Sequence, residues 1–165
     1  MEIRLVQTED DIRLTSDLAG RVWREHYPPI IGRDPVEYML AKFQTPEAIG
    51  NQIRQEGFRY YLAYSGSDTV GYFAVVPKME ELYLSKLYLM AAHRGKGMGR
   101  EMMAFVECLA RELSFHRIGL VTNKHNERTL KVYQKLGFKV ESATVTDIGE
   151  GYVMDDFRLN KELPD

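Results

Sequence analysis

Gly95, Gly97 and Gly99 recur at every second position among Arg94, Lys96, Met98 and Arg100. A turn of this kind is built to hold phosphate. Without Cβ atoms the backbone can approach an anion closely, its N–H groups point at the anion, and three cations stand by to neutralise it. The run before it, Leu82 to Leu89, alternates as a strand does, and the run after it, Met102 to Leu113, has apolar residues at helical spacing. The positive end of a helix dipole therefore sits behind the bound anion. Two other phosphate loops are excluded. A Walker A loop needs Gly-Lys-Ser/Thr, whereas Gly95-Lys96 is followed by Gly97, and a dinucleotide fingerprint needs a glycine where Met102 stands.

The pattern Arg94-x-x-Gly97-x-Gly99 resembles the Arg/Gln-x-x-Gly-x-Gly/Ala signature of the GCN5-related N-acetyltransferases, the GNAT family, whose loop holds the pyrophosphate of acetyl-CoA. Downstream, the segment from Asn126 through Tyr133 to Gly137-Phe138 is similar to that family's Asn-x-x-Ala-x-x-x-Tyr-x-x-x-Gly-Phe stretch, with Thr129 where alanine is usual. The resemblance covers residues 58–160 by motif and the earlier residues by pattern. It implies acetyl-CoA as cosubstrate, with Arg94, Gly95, Lys96, Gly97, Met98, Gly99 and Arg100 around the pyrophosphate. It also implies that the backbone of Leu87, Tyr88 and Leu89 pairs with the pantetheine arm, that Asn126 bonds to that arm or to an ordered water, and that the Tyr133 hydroxyl serves the departing thiolate. Tyr27-x-x-x-Ile31-Gly32 and the ending Gly151 to Leu159 look most like small bacterial acetyltransferases of polyamines and related amines.

The elements that must position these residues follow from the patterning. Glu2 to Val6 alternates as a strand. Thr8-x-x-Asp11 is a capping box for a helix to about Glu25, and His26 to Gly32 breaks that helix. Asp34-Pro35 and Thr45-Pro46 open two further helices. Phe58 to Tyr64 and Val70 to Val76 make a hairpin; then come a strand from Glu81 to Met90, a helix from Gly97 to Leu113, a strand from Ile118 to Thr122, and a helix from Asn126 to Leu136. Strands from Phe138 to Val145 and from Tyr152 to Leu159 end the chain. This order predicts an α/β fold, a central mixed sheet of seven strands flanked by helices, as the family resemblance also implies.

At 165 residues the chain reads as a single N-acetyltransferase domain over residues 1–165. Its 44% hydrophobic and 28% charged residues place it among ordinary globular proteins rather than disordered or membrane ones. A net charge of −2 argues against a broad nucleic-acid face. The single Cys108 and the start Met-Glu-Ile-Arg-Leu-Val point to a reducing cytoplasm, and no Cys/His spacing suggests a metal. A monomer or homodimer is expected.

Acetyl transfer to an amine needs a gripped donor, a neutral amine, a stabilised oxyanion and a proton for the leaving thiolate. A backbone N–H near Leu87 or Leu89 is the expected oxyanion donor, because the strand offers no Asn, Gln or His. The base is open. Ser85 stands where some polyamine-acetylating relatives carry a carboxylate. Glu81 shares its strand face but lies roughly 13 Å away, so a water chain from Glu81 or the Tyr83 hydroxyl would have to carry the proton. Trp23, Tyr27, Tyr38, Glu81 and Glu150 are the candidate wall of an acidic, aromatic acceptor cleft, with Glu80 and Asp147 beside them. Three functions fit: acetylation of a primary amine of a small molecule, a polyamine included; acetylation of a protein or peptide amine; or a CoA-binding module without catalysis.

Overall fold

Tyr60, Leu62, Tyr72 and Ala74 are buried on one face of the sheet, and Tyr61, Ala63, Phe73 and Val75 on the other. Strands that are apolar on both sides must be covered on both sides, and this requirement sets the architecture. The computed structural model describes residues 1–165. Its seven strands are β1 (Glu2–Leu5), β2 (Arg59–Ser65), β3 (Asp68–Pro77), β4 (Leu82–Leu89), β5 (Arg117–Asn123), β6 (Lys139–Gly149) and β7 (Tyr152–Glu162), ordered β1-β2-β3-β4-β5-β7-β6. Neighbours are antiparallel except β4 and β5.

One face is packed by α1 (Glu9–His26), α2 (Pro28–Ile31), α3 (Arg33–Phe43) and α4 (Pro46–Gln55), the other by α5 (Met98–Glu112) and α6 (Glu127–Lys135). The start of α1 is the expected capping box: Asp11 N–H donates to Thr8 Oγ1 at 3.1 Å, and Thr8 N–H to the Asp11 carboxylate at 3.1 Å. Thr45 caps α4 in the same way, through Ala48 N–H. Elsewhere the boundaries move. His26 to Gly32 does not simply break the helix, because its two prolines start the single turn of α2, which Gly32 ends at φ +89°. Asp34 makes no cap bond, since α3 already begins at Arg33. A 3₁₀ turn over Ala91–His93 was not foreseen, and β6 and β7 run several residues longer than expected because they pair along their whole length.

Two departures from regularity shape the centre of the sheet. Ala74 faces Lys86 but Val75 faces Leu84, so Ser85 is an extra residue in β4, a bulge. Leu82 and Leu84 before it, and Leu87 and Leu89 after it, all turn toward α5, while Lys86 and Tyr88 turn toward α1. Plain alternation would have set Leu87 and Leu89 on the other face. The second departure is between β4 and β5, whose register holds only at Leu82↔Ile118 and Tyr83↔Gly119. Beyond Tyr83 the strands part and leave a gap in the sheet.

The far side of β4 stays tightly paired. A Cβ added at Gly71, opposite Leu89, would stand 2.5 Å from the backbone oxygen of Tyr88. Gly71→Ala must therefore push β4 off β3 at the rim of the gap. We expect a loss of about 1–3 kcal/mol, read as a lower urea midpoint with an unchanged m-value.

Candidate active site

Met90 N–H donates to Val70 O across the β3 edge, so by alternation Leu89 and Leu87 turn their N–H and C=O groups toward the gap. These groups lack a strand partner and are suited to an extended chain laid in as an added strand. Arg94 is the one residue that reaches them: its Nε and Nη2 donate to Leu89 O at 3.1 and 3.0 Å. Tyr88, assigned to the same role, turns its backbone oxygen to β3 instead and sends its ring into the aromatic cluster on the α1 side.

The glycine loop lies at the end of this gap. Gly97 sits at φ +82° as the N-cap of α5 with no side-chain cap, so the first-turn amides of Met98, Gly99 and Arg100 have no partner within the helix. Gly95 is also left-handed, at φ +76°, and an added Cβ at Gly95 or Gly97 would meet no protein atom within 4 Å. The space above these glycines is thus open to a ligand. Lys96 and Arg100 are exposed beside it. This loop fits a phosphate-bearing group by its own geometry.

Residues from both faces of the sheet meet at the gap. Tyr133 packs edge-on against Phe138, with centroids 5.5 Å apart, in the α5 side of the core. Burial pushes its hydroxyl far above the usual phenol range, and the charge of the nearby Tyr27 on the opposite face adds to the shift, so the hydroxyl stays protonated. Asn126 is not on the helix with Tyr133 as expected; it is the N-cap of α6, and its Nδ2 stands 3.2 Å from His26 Nε2 of α1. Burial, and then the charge of Arg94, lower the His26 pKa and favour the neutral ring.

A cleft of about 910 Å³ opens from the gap on the α1 side. Trp23 and Tyr27 line it, as the sequence suggests. The Tyr27 hydroxyl stands 2.8 Å from that of Tyr88, and Trp23 Nε1 donates to Tyr72 at 2.9 Å. The other three wall residues do not line the cleft. Tyr38 gives its hydroxyl to Ile148 O at 2.5 Å and packs on Tyr152. Glu150 is exposed at φ +54° in the β6–β7 turn, where it serves the turn. Glu81 is buried, but its carboxylate is bonded to Arg158 and lies 3.8 Å from Arg117 Nε, over Gly119. Two guanidiniums hold it outside the cleft, which removes the geometric basis for Glu81 as the base. Glu80 is exposed, and Asp147 accepts from Gly149 N–H at 2.8 Å.

The buried carboxylate that lines the cleft is Asp156, which sequence reasoning missed. It is 5% exposed on β7, opposite Asn123 of β5. Its pKa is raised to about 6, chiefly by burial and then by the charge of the adjacent Asp155, with Lys124 opposing the shift. No hydrogen bond from the protein stabilises its charged form. One signal was available: alternation sets Asp156 on the same strand face as Tyr152 and Met154, both packed into the core.

The model of the acetyltransferase (GNAT) family matches residues 20–138. The chain belongs to the GNAT family. The rat protein N-acetyltransferase family 8 member 2 is 29% identical over 112 residues, covering 64% of this chain. The chain spans about half the length of that protein, 50%, and of an uncharacterized N-acetyltransferase of Mycobacterium tuberculosis, 53%. An uncharacterized N-acetyltransferase of Lactobacillus delbrueckii subsp. lactis is 26% identical over 152 residues, 85% of this chain and 87% of its own. Among solved structures, the PaiA N-acetyltransferase of Thermoplasma acidophilum, in complex with coenzyme A, matches with a TM-score of 0.81 at 21% identity, over 98% of this chain and 99% of that one. A chimera of the spermidine N-acetyltransferase SpeG from Vibrio cholerae matches with a TM-score of 0.69 at 16% identity, over 98% and 96%. At these identities the structural matches show the GNAT fold.

The raised pKa of Asp156 has a stability consequence. The folded chain binds this proton more tightly than the unfolded chain, so Asp156 costs nothing below pH 4 and is destabilising above pH 6. Asp156→Asn should therefore stabilise the protein by roughly 1–3 kcal/mol at pH 8 and by little at pH 4. Thermal melts of both proteins at the two pH values check this.

Proposed function

We propose that this protein is an acetyl-CoA-dependent N-acetyltransferase acting on a primary amine of a small molecule. The observation that carries the reading is the gap between β4 and β5, lined by the outward backbone of Leu87 and Leu89, ending at the glycine loop and opening into a cleft that holds one buried, unpaired carboxylate. Acetyl-CoA supplies a thioester-activated acetyl group when bound. The amides of Met98, Gly99 and Arg100, with Lys96 and Arg100, hold its pyrophosphate, and Leu87 and Leu89 pair with its arm. An N–H from the same two residues stabilises negative charge on the reacting carbonyl oxygen. Arg94 must release Leu89 O for that pairing, and its guanidinium is then free for the phosphates.

Asp156 takes the proton from the incoming ammonium. With a pKa of about 6 it lies about 4 units below an alkylammonium, an uphill transfer of roughly 6 kcal/mol. An ordinary aspartate would face nearly 3 kcal/mol more. Tyr133 stays protonated and offers the departing sulfur a hydrogen bond, while the thiolate takes the second proton that the amine nitrogen loses as the amide forms; its high pKa suits a hydrogen-bond donor. The cleft suits a cationic head group: Asp156, Glu47 and Glu56 supply negative charge, and Trp23, Tyr27 and Tyr83 supply rings. The likeness to a spermidine acetyltransferase makes polyamines one class to test. Release of CoA thiol against polyamines, amino acids, aminoglycosides and short peptides tests the whole reading, and no release with any amine while acetyl-CoA still binds would leave a binding module.

Two outcomes assign the roles. Because the base must be ionised, kcat/KM should rise with pH through about 6. Asp156→Asn should remove that limb and lower kcat by about 10²-fold or more; a variant that keeps the limb refutes Asp156 as base.

Tyr133→Phe keeps the ring against Phe138 and deletes only the hydroxyl. We expect kcat and kcat/KM to fall together by about 10- to 10³-fold, with acetyl-CoA affinity nearly unchanged. Wild-type turnover in this variant would leave Tyr133 a packing residue.

A further inference from the structure

Lys86 sends its cationic side chain into the cleft and forms no ion pair there, although Glu56 lines the same cleft. Its Nζ donates to Ser85 Oγ at 2.8 Å and stands 5.2 and 5.7 Å from the ring centroids of Phe58 and Tyr60. Burial lowers its pKa to about 8, and Glu56, the one carboxylate whose charge reaches it, opposes the shift without forming an ion pair. Lysine is seldom withdrawn from water without a partner. An ammonium has three N–H donors, and Ser85 engages one of them.

The bulge explains how the side chain comes to be there. The extra residue at Ser85 puts Lys86 on the cleft side of β4, directly before Leu87, and its aromatic neighbours belong to β2 and the residue before it, two strands away from the gap. Lys86 on β4 and Asp156 on β7 are two strands apart, so with neighbouring strands about 4.8 Å apart their backbones are separated by roughly 10 Å. The cleft thus has a buried carboxylate, Asp156, beyond the gap and, on the α4 side with the exposed Glu47 and Glu56, an ammonium that is in no ion pair.

Resting on the acyl-transfer reading above, we propose that the acceptor is an amino-carboxylate of about dipeptide to tripeptide length, its amine at the gap facing Asp156 and its carboxylate gripped by Lys86. Three extended residues span about 10 Å, which matches the reach of the cleft. A linear polyamine would instead bring its second ammonium against Lys86 and be repelled.

The test compares triglycine, triglycinamide and spermidine in CoA thiol release by the wild type, Lys86→Met and Lys86→Arg, with calorimetric binding of N-acetyltriglycine and its amide to the CoA-bound protein. We expect triglycine to exceed triglycinamide at least tenfold in kcat/KM, mostly through KM. That ratio should collapse toward one in Lys86→Met and be retained in part in Lys86→Arg. A wild-type ratio near one, a preference that survives Lys86→Met, or spermidine as the better substrate overturns the proposal. If no amine is acetylated but N-acetyltriglycine still binds at least tenfold more tightly than its amide, the transfer reading fails and the anion site at Lys86 stands. If neither turnover nor that binding difference is seen, both fail.

Discussion

The structure depends on one unmade set of hydrogen bonds. β4 and β5 are joined by two residue pairs and then separate, leaving the inner backbone groups of Leu87 and Leu89 without a strand partner. A backbone N–H or C=O left unpaired away from water costs on the order of 1–3 kcal/mol, so such a gap persists only where the surroundings enforce it. Here they do. β4 is locked to β3 along its other edge, where Gly71 allows the closest approach, while β5 is drawn away by seven residue pairs with β7. Arg94 relieves part of the cost by donating twice to Leu89 O.

The ionisable groups follow the same economy of burial. Asp156, Lys86 and Tyr133 have all been moved away from their ordinary titration ranges with desolvation as the largest cause, and none of the three has an ion-pair partner. Glu81 is the instructive contrast: equally buried, it is neutralised by Arg158 and Arg117 and reads as a structural ion pair. Burial alone therefore does not mark a reactive group in this sheet. Burial without a partner, next to open space, does.

The order of elements, both caps at Thr8 and Thr45, and the glycine loop were legible because each rests on contacts within a few residues. The bulge was not. Leu84-Ser85-Lys86-Leu87 contains no glycine or proline to announce an extra residue, and the register shift is decided by β3, on the far side of a loop. Glu81 was misplaced for a similar reason, since its partner Arg158 lies 77 residues further along the chain and the two meet only because β5 and β7 are neighbours. Tyr38 and Glu150 were credited to the cleft on residue type, but one bonds to Ile148 and the other holds a turn. Asp156 was missed because nothing local separates it from Asp155; only alternation with Tyr152 and Met154, and the packing of that face, single it out.

The bulge also separates two kinds of information. On the gap edge and at the glycine loop the chain offers backbone groups, which place few demands on side-chain identity, so the loop pattern survives as a recognisable motif. On the α1 side the same strand offers Lys86 and Tyr88, and the cleft is completed by α1, α4, β6 and β7, elements far apart in sequence. Because one extra residue reverses which face each later side chain occupies, substitutions at Lys86 act on the acceptor cleft, while Leu87, its immediate neighbour, packs toward α5 and gives only its backbone to the gap. On the proposed acyl-transfer reading, donor and acceptor contacts are thus carried by successive residues of one strand and can change independently. For this reason membership of the GNAT family fixes the fold and the anion loop, whereas on the proposed reading the acceptor has to be read from the charges that α4, β4 and β7 turn into the cleft.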